Sequence, residues 1–192
     1  DSGIKAITSL IQQAKGLAAS ARSAGTTDAA ALAVQFNALL TQISNIATDS
    51  GYKGKNLLAG DTLSVQFNES GSSSLGIVGF DGSATTGLGI AAAAGNWATP
   101  GNIDAAVTNM DTALTTLRNN SKSLSSNLGV VSARQDFTTD LVNTLTDGAD
   151  NLTAADTNAE GANMLALQTR QQLSITSLSL SNQAQQGILR LF

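Results

Sequence analysis

Apolar side chains in the first fifty residues recur at alternating intervals of three and four positions. This spacing is the heptad seam of a helix that packs against another helix. In residues 1–24 the seam consists of Ile4, Ile7, Ile11, Ala14, Ala18 and Ala21. In the next stretch it consists of Leu32, Phe36, Leu39, Ile43 and Ile46. Gly25 separates the two, and the Thr-Thr-Asp at 26–28 can cap the second helix, so the pattern predicts an antiparallel helical hairpin.

The pattern changes after Gly51. Residues 57–67 read Leu-Leu-Ala-Gly-Asp-Thr-Leu-Ser-Val-Gln-Phe, in which apolar and polar residues alternate after a Gly-Asp pair. Such alternation beside Gly-Asp predicts a β-hairpin that turns at Gly60. Residues 69–100 are rich in Gly, Ser, Thr and Ala, with Trp97 and Pro100 near the end. We expect them to be a loop with one or two short strands on the outside of the molecule.

The heptad pattern returns at residue 103 and runs much further. Its members are Ile103, Val107, Met110, Leu114, Leu117, Ser121, Leu124, Leu128 and Val131. The same grid continues to Val142, Leu145, Ala149 and Leu152. This predicts a continuous helix over 102–146, a Gly-, Asp- and Asn-rich break at 147–160, and a final helix from about Asp156. Since so long a helix does not fit a compact domain, it should lie beside the first two helices.

The predicted fold is therefore mainly α: an elongated antiparallel helical bundle with heptad seams, one β-hairpin and a small irregular or β insert. Four segments are expected. Residues 1–68 form the N-terminal stem helices and the β-hairpin, and 69–100 form a variable, outward-facing insert. Residues 101–155 form a long C-terminal stem helix, and 156–192 form a terminal core helix.

The final helix carries apolar residues on several faces. They include Leu165, Leu167, Leu173, Ile175, Leu178 and Leu180. A helix that is apolar nearly all round is buried on several sides, which two other long helices cannot provide. Leaving these side chains in water would forgo roughly 1.5–3 kcal/mol of burial each. The pattern predicts that another chain covers this helix; the alternative is an ordinary helical bundle that is complete by itself.

Composition removes several classes of function. The chain has no Cys and no His, a net charge of −4 and scattered single Lys and Arg residues. Thiol and imidazole catalysis and the usual zinc sites are excluded, and there is no basic stripe for nucleic acid. No apolar run reaches the roughly 18 residues of a membrane span. We expect no cofactor, no nucleic acid, no membrane insertion and no enzymatic activity.

Acidic residues offer two weaker candidate sites. The stretch 147–160 resembles a calcium loop in composition, but Leu152 stands where an EF-hand needs Gly, so a capped helix break is favoured. Asp104 and Asp111, like Asp140 and Asp147, are seven residues apart and could share a helix face. Acid–base catalysis would need such a pair inside a cleft, whereas these are predicted to be solvated.

Two stretches resemble bacterial flagellins, especially the alphaproteobacterial kind. "AADTNAEGANMLALQTRQQLSITSLSLSNQAQQGILRLF" is similar to the family's terminal segment. "IQQAKGLAASARS" and "TDAAALAVQFNALLTQISNIATDSGYKGKNLL" are similar to the second part of its N-terminal conserved region. Together they cover a little under half of the chain, and the order of the elements makes the match specific.

The resemblance implies a structural subunit of the flagellar filament, a secreted, extracellular protein that self-assembles into a helical tube for swimming motility. It implies contacts with other copies, with the flagellar type III export apparatus and an export chaperone, and with filament cap and junction proteins. The family's extreme N-terminal helix would lie before Asp1. The terminal helix would form the polymer interface through Leu165, Leu167, Leu173, Ile175, Leu178, Leu180, Ile188, Leu189, Leu191 and Phe192.

Many flagellins of gut bacteria carry Gln-Arg-Val-Arg-Glu-Leu on the first stem helix, where a vertebrate Toll-like receptor binds them. The matching positions here are Gln12, Gln13, Ala14, Lys15, Gly16 and Leu17. Gln13 and Gly16 replace an Arg and a Glu, so two charge-assisted contacts are lost and weak or absent recognition is implied.

Two other functions compete with a filament subunit. A hook–filament junction protein resembles flagellin at its ends but forms only a thin ring and does not elongate. A secreted adhesin with a helical stem would use residues 69–100 as its recognition surface.

Overall fold

The computed structural model describes residues 1–154 and 156–189, and for Ile188 and Leu189 it describes the backbone alone. These residues form four α-helices, α1 (Ser2–Ser23), α2 (Thr26–Asp49), α3 (Pro100–Thr153) and α4 (Thr157–Leu189). Two strands, β1 (Thr62–Gln66) and β2 (Ser74–Val78), form one antiparallel sheet, and a short 3-10 helix spans Ala94–Trp97. The predicted mainly α fold with one β-hairpin is confirmed. The chain divides into two compact units, 1–137 and 138–192.

The α1–α2 hairpin follows the predicted pattern. Only Ala24 and Gly25 separate the two helices, and the Ala24 amide donates to the Ala21 carbonyl where α1 ends. The six buried residues of α1 are those of the predicted seam, namely Ile4, Ile7, Ile11, Ala14, Ala18 and Ala21. The heptad pattern of the first helix is therefore confirmed residue by residue.

The buried face of α2 is rotated from the predicted one. Its buried residues are Ala29, Ala33, Phe36, Leu40, Ile43 and Ala47. Leu32, Leu39 and Ile46, predicted at the centre of the seam, are half-buried and pack at the edge of the core. Alanine supplies three of the six buried positions, and the larger Leu32, Leu39 and Ile46 pack against the flank of the core.

Two ion pairs fix the direction of α3 relative to α1. Arg22 contacts Asp104 with an N–O distance of 2.7 Å, and Lys15 pairs with Asp111. Later residues of α1 thus face earlier residues of α3, so the two helices are antiparallel. α3 buries Ile103, Ala106, Met110, Ala113, Leu114 and Leu117 against α1 and α2.

The predicted α3 seam is buried over only part of its length. Leu124 is half-buried, whereas Leu128 is 65% exposed. In the register set by the two ion pairs, the first turn of α1 lies opposite Leu124. The prediction that one seam is covered from 103 to 131 is wrong at Leu128, whereas Val131 is half-buried.

The break between the last two helices is shorter than predicted. α3 continues to Thr153 rather than ending at 146, and α4 begins at Thr157. Gly148 does not end the helix, because glycine inside a helix costs only about 1 kcal/mol relative to alanine. The Asp156 carboxylate accepts hydrogen bonds from the amides of Asn158 (2.9 Å) and Ala159 (3.3 Å), as a helix N-cap does.

The β-hairpin turns at a different place from the predicted one. β1 pairs with β2, with Leu63 opposite Ile77, and the connection is residues 67–73. The Asn68 carboxamide oxygen accepts a 3.0 Å hydrogen bond from the Ser73 amide across this connection. Gly60 belongs instead to a compact turn before β1. The alternation at 63–67 identified one strand correctly, but its partner lies in the Gly- and Ser-rich stretch, where no alternation marks it.

The segment after β2 is not simply on the outside of the molecule. Four of its side chains are buried in the helical core, namely Ala84, Leu88, Ile90 and Trp97. The Ala93 amide donates to the Asn37 side chain (2.9 Å), which fastens the segment to α2. The outward position expected for residues 69–100 is therefore wrong for these four, because large apolar groups gain more by covering α2 than by facing water.

Trp97 completes this attachment. Its ring lies 4.8 Å from the Phe36 ring, centroid to centroid, and it is 1% exposed. Gly95, Asn96 and Trp97 have φ values of 54°, 48° and 58°. Such left-handed conformations are unfavourable for Asn and Trp, so burial of the indole ring must offset them.

A second turn in this segment depends on Asp81. Hydrogen bonds to the Ser83 side chain and backbone amide lower the pKa of the Asp81 carboxyl, and the Thr86 hydroxyl lowers it further. The Thr86 hydroxyl lies 2.9 Å from the carboxylate. A Cβ at Gly87 would overlap the carbonyl oxygen of Asp81, so this turn also requires glycine.

Replacing Trp97 with alanine should lower the free energy of unfolding of the first unit by about 3–5 kcal/mol, the usual cost of deleting a buried aromatic side chain. Chemical denaturation followed by circular dichroism measures this loss. Tyr52→Ala is the matched control, because Tyr52 is 75% exposed and should change little. Equal losses in the two variants would contradict the anchoring role of Trp97.

Candidate assembly surface

Helix α4 exposes large apolar side chains along most of its length. Seven of them are between 57% and 68% exposed, namely Met164, Leu165, Leu167, Leu173, Ile175, Leu178 and Leu180. Every residue of α4 whose burial the structure describes is exposed. The first unit, in contrast, buries 23 apolar residues in one core cluster. Apolar surface that is contiguous and exposed on this scale marks a site of association.

The sequence of α4 places these side chains on opposite sides of the helix. Leu165 and Leu167 are two residues apart, and the pairs Leu173/Ile175 and Leu178/Leu180 repeat the interval. At 3.6 residues per turn, a separation of two residues is about 200° around the helix axis. A partner on one side would therefore leave half of each pair in water, and full burial needs neighbours on at least two sides.

Charge does not oppose such contacts. In the described part of α4 only Glu160 and Arg170 carry charged side chains. Ser, Thr, Asn and Gln occupy many remaining positions, and two of the threonines, Thr169 and Thr176, donate to carbonyls one turn earlier. Their hydroxyls are thereby satisfied within the helix, which makes the surface easier to dehydrate.

The structure places most of the predicted interface residues on this surface. Leu165, Leu167, Leu173, Ile175, Leu178 and Leu180 are all exposed on α4. Ile188 and Leu189 lie on α4, but their side chains are outside the described residues, as are Leu191 and Phe192 altogether. The prediction did not include Met164, although its position beside Leu165 was visible in the sequence.

A second apolar surface lies on the last turns of α3. Leu141, Val142, Leu145 and Leu152 are 44%, 55%, 62% and 89% exposed. The sequence pattern assigned three of them to a covered bundle seam. The structure instead leaves them accessible in the second unit, and the periodicity of a seam cannot tell whether its partner is in the same chain.

The acidic candidates have structural roles or remain in solvent. Asp104 and Asp111 pair with Arg22 and Lys15 of α1, which the sequence did not reveal. Asp140 and Asp147 are exposed. Within residues 1–154 and 156–189, no three acidic, cysteine or histidine side chains gather closely enough to hold a metal ion.

The positions that match the receptor motif lie on the middle of α1. Gln12, Gln13 and Gly16 are exposed, whereas Lys15 and Leu17 are half-buried. Lys15 is already engaged with Asp111 of α3. The exposed part of this stretch therefore presents two amides and a glycine.

None of the helices in the described ranges is both long enough and apolar enough to cross a membrane. The exposed apolar surface of α4 is thus interrupted too often by polar residues to count as a candidate span.

Comparison with known proteins agrees with this arrangement. Residues 101–192, which contain α3 and α4, match the family model described as the bacterial flagellin C-terminal helical region. A flagellin of Caulobacter vibrioides is 32% identical over 187 residues, covering 93% of this chain and 65% of its own length. A flagellin of Brucella melitensis is 27% identical over 202 residues, covering all of this chain and 72% of its own.

The chain is similar to bacterial flagellins over most of its length.

The fold of this chain is also seen in a solved structure. The crystal structure of Bacillus cereus flagellin superimposes with a TM-score of 0.50 and 19% identity, covering 84% of this chain and 86% of that one. At that identity the likeness concerns the fold alone. The chain spans 65% of the length of the Caulobacter relatives that it matches.

Proposed function

We propose that this chain is a flagellin, a structural subunit of the bacterial flagellar filament, located outside the cell, in which copies assemble into a helical tube that serves swimming. The observation that carries the proposal is the apolar surface of α4, with large side chains on opposite sides of one helix. Similarity to bacterial flagellins supports the same function.

Copies of the same chain are the partners that suit this surface. A filament supplies each subunit with identical neighbours on several sides, which is what opposed apolar side chains require. Contacts between two different surfaces of one chain repeat without closing into a ring when the rotation does not close, and they then generate an open helical polymer. In this proposal the polymer interface is Leu165, Leu167, Leu173, Ile175, Leu178, Leu180, Ile188, Leu189, Leu191 and Phe192.

Other partners follow from the same proposal. An uncovered α4 would associate wrongly before it reached the growing filament, so a dedicated export chaperone should mask it. Passage through the flagellar type III export apparatus, and contacts with filament cap and junction proteins, belong to the same assembly route.

We further propose that the chain has no enzymatic activity. The acidic pairs that its sequence offered for acid–base chemistry do not line a cleft. One pair binds α1 through Arg22 and Lys15, and the other is exposed on α3. Asp156, in the Asp-rich break, caps α4 instead of contributing to a site.

Substituting Leu173 or Leu178 with aspartate should stop filament growth. An interface that buries a carboxylate without a partner loses several kcal/mol, which raises the concentration needed for growth by roughly a hundredfold or more. Full-length flagellin variants would be added to filament seeds and the growth followed by electron microscopy. The first unit should remain folded, which circular dichroism checks.

Leu178→Met is the matched control, since it keeps an apolar side chain of similar volume at the same place and should still polymerise. Growth of Leu173→Asp and Leu178→Asp at the wild-type rate would contradict the proposal. A wild-type protein that binds seeds but never elongates would instead indicate a junction protein.

We also propose that the Toll-like flagellin receptor binds this protein weakly or not at all, because Gln13 and Gly16 offer no charge to it. Gln13→Arg combined with Gly16→Glu should raise receptor signalling by about tenfold or more, as two charge-assisted contacts would return. A reporter-cell assay with matched protein concentrations measures this. Strong signalling by the unaltered protein would show the idea to be wrong.

A further inference from the structure

The strap, residues 82–97, lies along α2 and runs in the opposite direction to that helix. Three contacts mark its path, in chain order the Ala84 amide with the Ser44 hydroxyl, the Ala93 amide with the Asn37 side chain, and the Trp97 ring with the Phe36 ring. As the strap advances, its partners move back toward the beginning of α2. The strap therefore covers the helix from about Ser44 to Phe36.

Both ends of the strap are tied to other parts of the first unit. Just before it, the Phe80 amide donates to the Leu57 carbonyl (2.7 Å), and at its first residue the Gly82 amide donates to the Leu58 carbonyl (2.8 Å). Shortly after it, the chain enters α3 at Pro100. The strap can therefore separate from α2 while both of its ends stay in place.

The two hydrogen bonds between the strap and α2 use side chains of the helix. The Ser44 hydroxyl accepts from the Ala84 amide at 3.2 Å, and the Asn37 carboxamide oxygen accepts from the Ala93 amide at 2.9 Å. The backbone groups of α2 bond one another within the helix. Release of the strap would thus leave the hydrogen bonds of α2 intact, and water can satisfy the two freed amides.

The last residues of the strap have two unfavourable features that release would relieve. Asn96 and Trp97 have left-handed backbone conformations, which residues other than glycine seldom adopt. The indole Nε1–H of Trp97 is buried, and it has no hydrogen-bond acceptor among the described residues. A buried donor without an acceptor has lost its hydrogen bond to water. Release would return both residues to ordinary backbone conformations and the indole N–H to water.

The helices have their own contacts, which do not involve the strap. Each of α1, α2 and α3 buries six apolar side chains, whereas the strap buries four. The ion pairs Lys15–Asp111 and Arg22–Asp104 join α1 directly to α3. Segments that have few buried apolar contacts open at a lower cost in free energy than the core does. The strap is such a segment.

We infer that the strap opens and closes as a unit of its own while α1, α2 and α3 stay packed. The closed form, with Trp97 on Phe36, predominates, and the open form is a minor state in which the Phe36 ring loses its aromatic cover. The first unit therefore begins to unfold at the strap, before its helices separate. All parts of this device lie within one copy, so the inference goes beyond the proposed function and does not depend on assembly.

Thiol labelling of single-cysteine variants tests this inference, because the chain has no cysteine of its own. Ala84→Cys places a thiol in the strap, and Ala14→Cys places one in α1; both alanines are 0% exposed. Dilute full-length protein is incubated with a thiol reagent without denaturant. The Ala84→Cys variant should be labelled at least about tenfold faster than the Ala14→Cys variant. Unchanged Trp97 fluorescence shows that the strap closes in both variants.

Ile11→Val distinguishes opening of the strap from unfolding of the whole unit. Ile11 is buried on α1, whereas the strap's hydrogen bonds and ring contact are with α2. Loss of one buried methylene should raise the labelling rate of the Ala14→Cys variant by roughly fivefold. It should leave the rate of the Ala84→Cys variant unchanged, because the helices stay packed in the open form. An equal rise in both rates, or equal rates before the substitution, would overturn the inference.

Asn37→Ala tests the attachment itself. It removes the acceptor of the Ala93 amide, so the closed form would hold an unsatisfied amide, and labelling of the Ala84→Cys variant should become roughly tenfold faster. Gln35→Ala is the matched control, because Gln35 is exposed on the same helix and should leave the rate unchanged. Equal effects of the two substitutions would show that the Asn37 side chain does not hold the strap.

Trp97 gives a second measurement that needs no change in the strap, since it is the only tryptophan of the chain. Urea is added stepwise to the unaltered protein, and quenching of its fluorescence by acrylamide is recorded. Trp97 should become accessible at a lower urea concentration than the one at which the Ala14→Cys thiol becomes reactive. Coincident transitions would mean that strap and helices unfold together, contrary to the inference.

Discussion

A helix can bury apolar side chains on one face against one neighbour, but not on opposite faces. The helices of this structure fall into two groups according to this constraint. α1, α2 and the first part of α3 each carry a single apolar face, and the three faces close on one another around Phe36, Met110 and Leu117. α4 carries leucines two residues apart, so no single neighbour can cover them. The first unit therefore has one buried apolar core, whereas α4 exposes its apolar side chains on opposite sides.

The segment that covers the helices also stabilises the first unit. Trp97 and the segment before it cover α2, and the amide of Ala93 is satisfied by Asn37. The ion pairs Lys15–Asp111 and Arg22–Asp104 hold α1 and α3 antiparallel but add little stability. Both pairs are largely accessible to water, and such pairs contribute about 0–1 kcal/mol to the free energy of unfolding. Apolar packing therefore stabilises this unit, and the two ion pairs set the register between α1 and α3.

Much of the helical structure could be predicted from the sequence, because the spacing of apolar residues along a helix indicates which face is buried. The seam of α1 was predicted at every position, and the opposed leucines of α4 were apparent from spacing alone. The rotated face of α2 was missed, because Ala29, Ala33 and Ala47 attract less attention than leucines although they are buried.

Other features could not be predicted because they depend on distant residues. β2 has no alternation to mark it, and it becomes a strand by pairing with β1. Trp97 gave no sign of its partner Phe36, since 60 residues separate them in sequence. The seam of α3 was identified correctly as apolar, but periodicity does not reveal where a neighbouring helix stops. Asp104 and Asp111 suggested a carboxylate pair, and only the fold showed that each binds a different cation of α1.

Amide hydrogen exchange on the isolated and the assembled protein tests the central claim most directly. If other copies cover α4, amides of residues 160–187 in the dilute, unassembled chain should exchange orders of magnitude faster than those of residues 7–18 in α1, because a helix without buried contacts opens readily. In filaments the same amides should become protected. Protection of residues 160–187 in the isolated chain that equals that of α1 would contradict the account.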